Sequence, residues 1–98
     1  MQLNFTTPWL ELPATKERLD AQLINEECET IYVDCKVECS LVESCDDSGY
    51  ELYDLKVYEL LPDKRYIEVN QDEITNKEFN KILDEAIDVY QRDKIYTI

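Results

Sequence analysis

The chain has no histidine, one glycine, three prolines and only ten basic residues against 23 acidic ones in 98 positions. Each shortage excludes something. Without histidine the commonest general base is missing. With a single glycine, Gly49, there is no glycine/serine linker, and no repeat or low-complexity tract interrupts the chain. No run approaches the ~18 apolar residues of a membrane span. The first ten residues lack the basic and apolar regions of a secretory signal, so the expected location is the cytoplasm of a host cell, with thiols reduced. The shortage of bases leaves a formal charge of −13. A chain this acidic repels nucleic acid and anionic membranes and attracts basic surfaces.

What is present suits one small folded domain over residues 1–98. The 44% hydrophobic content and ten aromatic residues argue against disorder, since disordered acidic chains lack aromatic and β-branched residues. A chain of this length buries roughly 60–70% of its unfolded surface, enough for one modest core.

The period of the apolar residues changes along the chain. Residues 2–5 suit a short strand that breaks at Thr6, Thr7 and Pro8. Thr15 reads as the N-cap of a helix over 16–24, with Leu19 and Leu23 on its buried side. From Thr30 to Val42 strict alternation places Ile31, Val33, Cys35, Val37, Cys39 and Leu41 on one face, as in a strand with one buried and one wet side. Residues 43–49 form a polar turn. A return strand over 50–61 then points Tyr53, Leu55 and Val57 inward. A turn at Pro62, Asp63 and Lys64 leads to a third strand over 65–69 with Ile67 and Val69 inward. Thr75 and Glu78 make a capping box. Phe79, Ile82, Leu83, Ala86, Ile87 and Tyr90 keep helical spacing up to about Asp93, and residues 94–98 suit an edge strand. The expected fold is α+β: a three-stranded antiparallel meander covered by a C-terminal helix, with a short N-terminal helix beside it.

Four cysteines invite a metal reading, but Cys28-x6-Cys35-x3-Cys39-x5-Cys45 lacks paired zinc knuckles. Cys35 and Cys39 lie on one strand face about 13 Å apart, at about 3.3 Å per residue, so they read as small core hydrophobes. Cys28 and Cys45 have acidic neighbours, which disfavour a thiolate. Asp46-x-Ser48-Gly49 lacks the full register of a calcium loop. No metal, no cofactor and no enzymatic role is expected.

The charge is concentrated. Residues 26–54 hold ten carboxylates and one base, Lys36, a formal −9. Solubility alone does not require so much, because self-repulsion destabilises a compact chain. Same-face residues on a strand stand about 6.6–6.8 Å apart, near the spacing of phosphates along one DNA strand. Acidic strand faces can therefore imitate a phosphate row, with Lys36 as an interruption. Tyrosine beside carboxylate is an interface composition. The expected partner-binding residues are Glu26, Glu27, Glu29, Asp34, Glu38, Glu43, Asp46, Asp47, Glu51 and Asp54, with Tyr32 and Tyr58 as anchors.

Residues 9–23, WLELPATKERLDAQL, resemble a segment of ArdA-type antirestriction proteins through Trp9, Leu12, Pro13, Thr15, Glu17, Leu19 and Leu23, with Ile31 to Asp34 following. The likeness covers about fifteen residues, and this chain is shorter than those proteins. More broadly, the chain resembles small acidic accessory proteins of phages and mobile elements, including anti-CRISPR proteins. The resemblance implies an inhibitor that mimics DNA and binds the basic nucleic-acid site of a host defence nuclease or other DNA-binding protein, without binding nucleic acid or membrane itself. The alternative is a non-enzymatic phage structural or assembly protein that binds another viral protein.

Overall fold

The computed structural model describes residues 2–43 and 49–96, the last four of these by backbone alone. Cys45, Asp46 and Asp47 lie outside the described residues. The fold is α+β. Its sheet has four antiparallel strands in sequence order: β1 (Gln2–Pro13), β2 (Thr30–Glu43), β3 (Tyr50–Leu60) and β4 (Tyr66–Glu68). A one-turn-and-a-half helix α1 (Lys16–Ala21) links β1 to β2, and the long helix α2 (Asn76–Tyr96) follows β4 after a 3-10 turn at Gln71–Glu73.

The first departure from expectation is β1. It does not stop at Thr6 but runs on to Pro13, which adds a fourth strand to the expected three. The proline is accommodated in an irregularity of the ladder. Pairing proceeds from Gln2 with Ser40 to Thr7 with Cys35, then resumes at Leu10 with Val33, so Pro8 and Trp9 together oppose Asp34. Trp9 takes a left-handed φ of 55°. A bulge at an edge strand is one of the few sheet positions open to proline.

A second irregularity, near Asp54 (φ 54°), shifts the register of β3 against β2 between Glu38 and Ser40. It reverses the parity expected for β3. Leu55 and Val57 do point inward, but beyond the shift Leu52 takes the inner side, and Tyr53 is 49% exposed on the outer one. After β4, Val69 is buried as expected, but Ile67 within it is half-exposed, since α2 packs chiefly on β1 and β2.

The helices also differ in detail. Helix α1 ends at Ala21, and Leu23 is not buried but 78% exposed with φ 61°. The Ile24 amide donates to the Leu19 carbonyl and the Leu23 amide to that of Asp20, so Leu23 occupies the left-handed closing position usually given to glycine. Helix α2 continues through Tyr96, where an edge strand was expected. Thr75 caps it by accepting from the Glu78 amide at 3.3 Å, but the Glu78 carboxylate does not complete the box. It is buried and accepts instead from the Glu11 amide of β1 at 3.2 Å.

The core lies between the sheet and α2. Leu3, Leu10, Leu12, Val33, Cys35, Val37, Leu41 and Val57 meet Ile82 and Ala86. At the far end Tyr50 and Tyr90 make an edge-to-face pair at 5.8 Å. Because α2 covers one side of the sheet, the opposite side carries the residues left facing solvent. The molecule is elongated, 48 × 25 × 17 Å, with a radius of gyration of 15.0 Å against about 13 Å for a compact chain of this size.

Candidate functional site

The twelve expected site residues are neighbours in sequence, but β2 spreads them. Its fourteen residues span roughly 43 Å at about 3.3 Å each. Glu26, Glu27 and Glu29 are exposed in the loop before it, at the end of the molecule nearest α1. Glu43, Glu51 and Asp54 are exposed at the opposite end, where Glu51 pairs with Val42. Asp46 and Asp47 lie outside the described residues.

Between the ends, the helix-free face of the sheet is mixed in charge. Asp34 and Glu38 flank Lys36 on β2. The Lys36 ammonium sits 3.6 Å from the Glu38 carboxylate and 5.8 Å from the centre of the Tyr66 ring. Lys56 stands opposite Glu38 in the ladder, and Tyr58 lies half-buried between Lys36 and Glu68. The imagined phosphate row is thus neutralised at its middle and acidic at its two ends. Tyr58 is part of a covered row, while Tyr32, at 63% exposure, is open to solvent.

Tyr32 belongs to a small group around the β1 bulge. Its hydroxyl donates to Glu11 Oε2 at 3.1 Å, and the same carboxylate lies 3.5 Å from Lys77 of α2. The Trp9 amide makes a long 3.4 Å bond to Asp34 Oδ1. From the other side, Lys81 of α2 donates to the carbonyls of Pro8 at 3.0 Å and Trp9 at 2.8 Å. With Glu78 on the Glu11 amide, two charged side chains from α2 take up polar groups of the β1 edge that would otherwise invite pairing.

A second constellation went unread in the sequence. Arg18 of α1 is buried. Its Nε lies 2.9 Å from the buried Glu59 of β3, and its two terminal nitrogens each lie 3.0 Å from a Glu73 oxygen. Gln22 completes the group by donating to Glu59 and to the Leu60 carbonyl. The hollow above it, about 710 Å³, includes Lys16, Glu17 and Ile67 in its lining. Burial lowers the Arg18 pKa, but the hydrogen bonds to Glu73 and Glu59 outweigh it and hold the guanidinium above its ordinary value. This cation is fully engaged, so the group fastens α1 and the 3-10 turn to the sheet and offers no free ligand site. A signal existed for it: Glu59 falls between Val57 and Leu61 at an inward position of β3, and a carboxylate there needs a buried cation.

The Arg18 hydrogen bond and charge hold Glu73 below the usual carboxylate range. A carboxylate whose folded value is depressed stabilises the fold above its unfolded value, and that contribution disappears as pH falls through the folded value. The melting temperature is therefore expected to fall as pH drops below about 4.5, and to fall less in Glu73→Gln. Thermal melts from pH 6 to pH 3 check this; identical acid profiles for the two proteins would remove Glu73 from the account.

The Cys35 and Cys39 thiols are chemically quiet. Burial first, then the Glu59 charge, pushes Cys35 up to about 12, and burial raises Cys39 as well. Both lie in the core as small hydrophobes, and Cys28 is exposed beside its glutamates. Among the described residues no helix is long and apolar enough to cross a membrane. Comparison of the chain with protein-family models, curated proteins and solved structures finds no match.

Proposed function

We propose that the protein is a non-enzymatic inhibitor that occupies the basic nucleic-acid site of another protein, of the anti-restriction or anti-CRISPR type, in the cytoplasm of a phage's host. The observation that carries this reading is the exposed, unneutralised charge. The chain has a net −13, and its described loop and hairpin carboxylates stand in solvent at the two ends of a body 48 Å long. That length corresponds to about one and a half turns of duplex DNA. Two acidic ends suit a partner whose basic surface tracks a nucleic-acid path, since complementary potentials steer encounter.

The neutralised middle of the sheet face limits phosphate imitation to the ends. The exposed aromatics Trp9, Tyr32 and Tyr53, with Tyr66 beside Lys36 in the middle, supply contact area of the protein–protein kind. They also favour the second reading, a phage structural or assembly protein that binds another viral protein. Competition separates the two. Against a purified restriction or CRISPR nuclease, the first reading expects this protein and duplex DNA to exclude each other, with binding that weakens as salt rises. Glu26→Lys with Glu27→Lys, or Glu43→Lys with Glu51→Lys, should slow association about tenfold at low salt while changing dissociation little. Simultaneous, undiminished binding of DNA and this protein to the nuclease would leave the assembly reading in its place.

A further inference from the structure

The bulge in β1 is an unusual way to present a side chain. Trp9 is the sole tryptophan of the chain and is 71% exposed. Its left-handed backbone is disfavoured for a residue bearing a Cβ. Two charged side chains hold it there, Asp34 through the Trp9 amide and Lys81 through the Pro8 and Trp9 carbonyls. Bulges commonly re-aim a side chain, and a conformation maintained against its own preference points to use. The sheet would be more regular, and the surface more soluble, without an exposed indole here.

The surroundings say what the indole meets. Trp9 is two residues from Glu11, whose partner across the ladder is the exposed Tyr32. Tyr32 is three residues, or about 10 Å of strand, from Glu29, and Glu26 and Glu27 stand in the same loop. The loop is tied down where the Ala14 amide donates to the Glu29 carbonyl at 2.9 Å. This end therefore combines two exposed aromatic rings with Asp34 and three exposed loop glutamates that have no ion-pair partner among the described residues. Aromatic faces attract cations, indole most strongly, and guanidinium adds stacking and forked hydrogen bonds to carboxylate that ammonium lacks. Lys77 lies 3.5 Å from Glu11, beside the Tyr32 hydroxyl, and Lys81 is spent on backbone carbonyls, so among the described residues no cation covers the face of either ring.

We infer that Trp9 and Tyr32, backed by Asp34 and the 26–29 loop, form the anchor of the interface and receive arginine side chains of a basic protein partner. This rests on the inhibitor reading above and deepens it. The acidic ends steer, and the Trp9 end supplies the contact that sets residence time.

The sole tryptophan makes the site its own reporter. The probes are a nine-residue arginine peptide and its lysine counterpart, titrated by calorimetry and by Trp9 emission in 50 mM salt. The arginine peptide should bind the native protein, shift Trp9 emission and protect it from acrylamide quenching. Trp9→Ala should weaken that binding about tenfold and Tyr32→Ala by a smaller factor, with less effect on the lysine peptide. Circular dichroism establishes that the variants are folded. If the arginine peptide binds native protein and Trp9→Ala equally, with emission and quenching unchanged, the anchor assignment is wrong while the acidic reading of function stands. If neither peptide binds the native protein, both fall.

Discussion

Replacing Arg18 with alanine is expected to remove about 3–5 kcal/mol of folding stability, the largest effect of any single change to a polar residue in this chain. The reason lies in what is left behind. Glu59 is only 4% exposed, and Arg18 is its charged partner, at 2.9 Å. Without Arg18 a carboxylate remains in the sheet interior with only the Gln22 amide to satisfy it. Glu73, nearer the surface, can turn to water. A domain of this size has about 5–15 kcal/mol in total, so the loss brings it close to unfolding. The midpoint of urea denaturation reads the effect directly. The paired variant Arg18→Met with Glu59→Leu is expected to recover most of the stability, because an apolar pair of similar volume removes both desolvation penalties. A single Arg18→Ala variant within 0.5 kcal/mol of the native protein (roughly, the range of ordinary surface changes) would show that the pair is not the clasp described here.

Much of the sheet was legible because β2 alternates without interruption, and its six inward residues are all buried. The failures within the strands have a common cause. A strand's side-chain period is two, so one irregular residue reverses every later assignment. Pro8 and Trp9 break the pattern of β1, and what reads as the end of a strand is a bulge within a longer one. Asp54 does the same to β3, turning Tyr53 outward. Neither residue is glycine, so composition gave no warning of a left-handed backbone. Leu23 misled in the same way, since its helical spacing from Leu19 is real but α1 closes before reaching it. At the candidate site, eight of the ten described residues are exposed while Glu38 and Tyr58 are half-buried, and the residues do not group as their order suggests. Contiguity from Glu26 to Asp54 suggests one patch, while a fourteen-residue strand in the middle of it holds the halves apart. Trp9 and Arg18, the two residues on which the site and its scaffold now turn, were hidden for opposite reasons. Trp9 is an apolar side chain that is exposed, and Arg18 is a charged one that is buried.

Ile82→Ala is expected to destabilise the protein by about 2–5 kcal/mol, in the range for emptying a fully buried aliphatic site. Ile82 has no exposed surface and lies with Ala86 in the core cluster between α2 and the sheet. Leu83 and Ile87 pack partly against the same cluster, while Asp84, on the same turn, faces solvent. The consequence extends beyond stability. Glu78 and Lys81 stand one turn and one residue before Ile82, and they carry the hydrogen bonds that occupy the β1 edge and pin the bulge. If α2 lifts, the Glu11 amide and the Pro8 and Trp9 carbonyls lose those partners together. The Trp9 conformation then has only the long bond that its amide donates to Asp34 to hold it. Ile82→Ala should therefore show a lower urea midpoint by circular dichroism and, in conditions where it is still folded, a weaker response of Trp9 emission to the arginine peptide. Asp84→Ala on the opposite face of the same helix is the control, expected within about 0.5 kcal/mol of native stability and unchanged in Trp9 response. If the two variants behave alike in both measurements, α2 is not what holds the bulge, and the strained presentation of Trp9 must be stabilised from within the sheet.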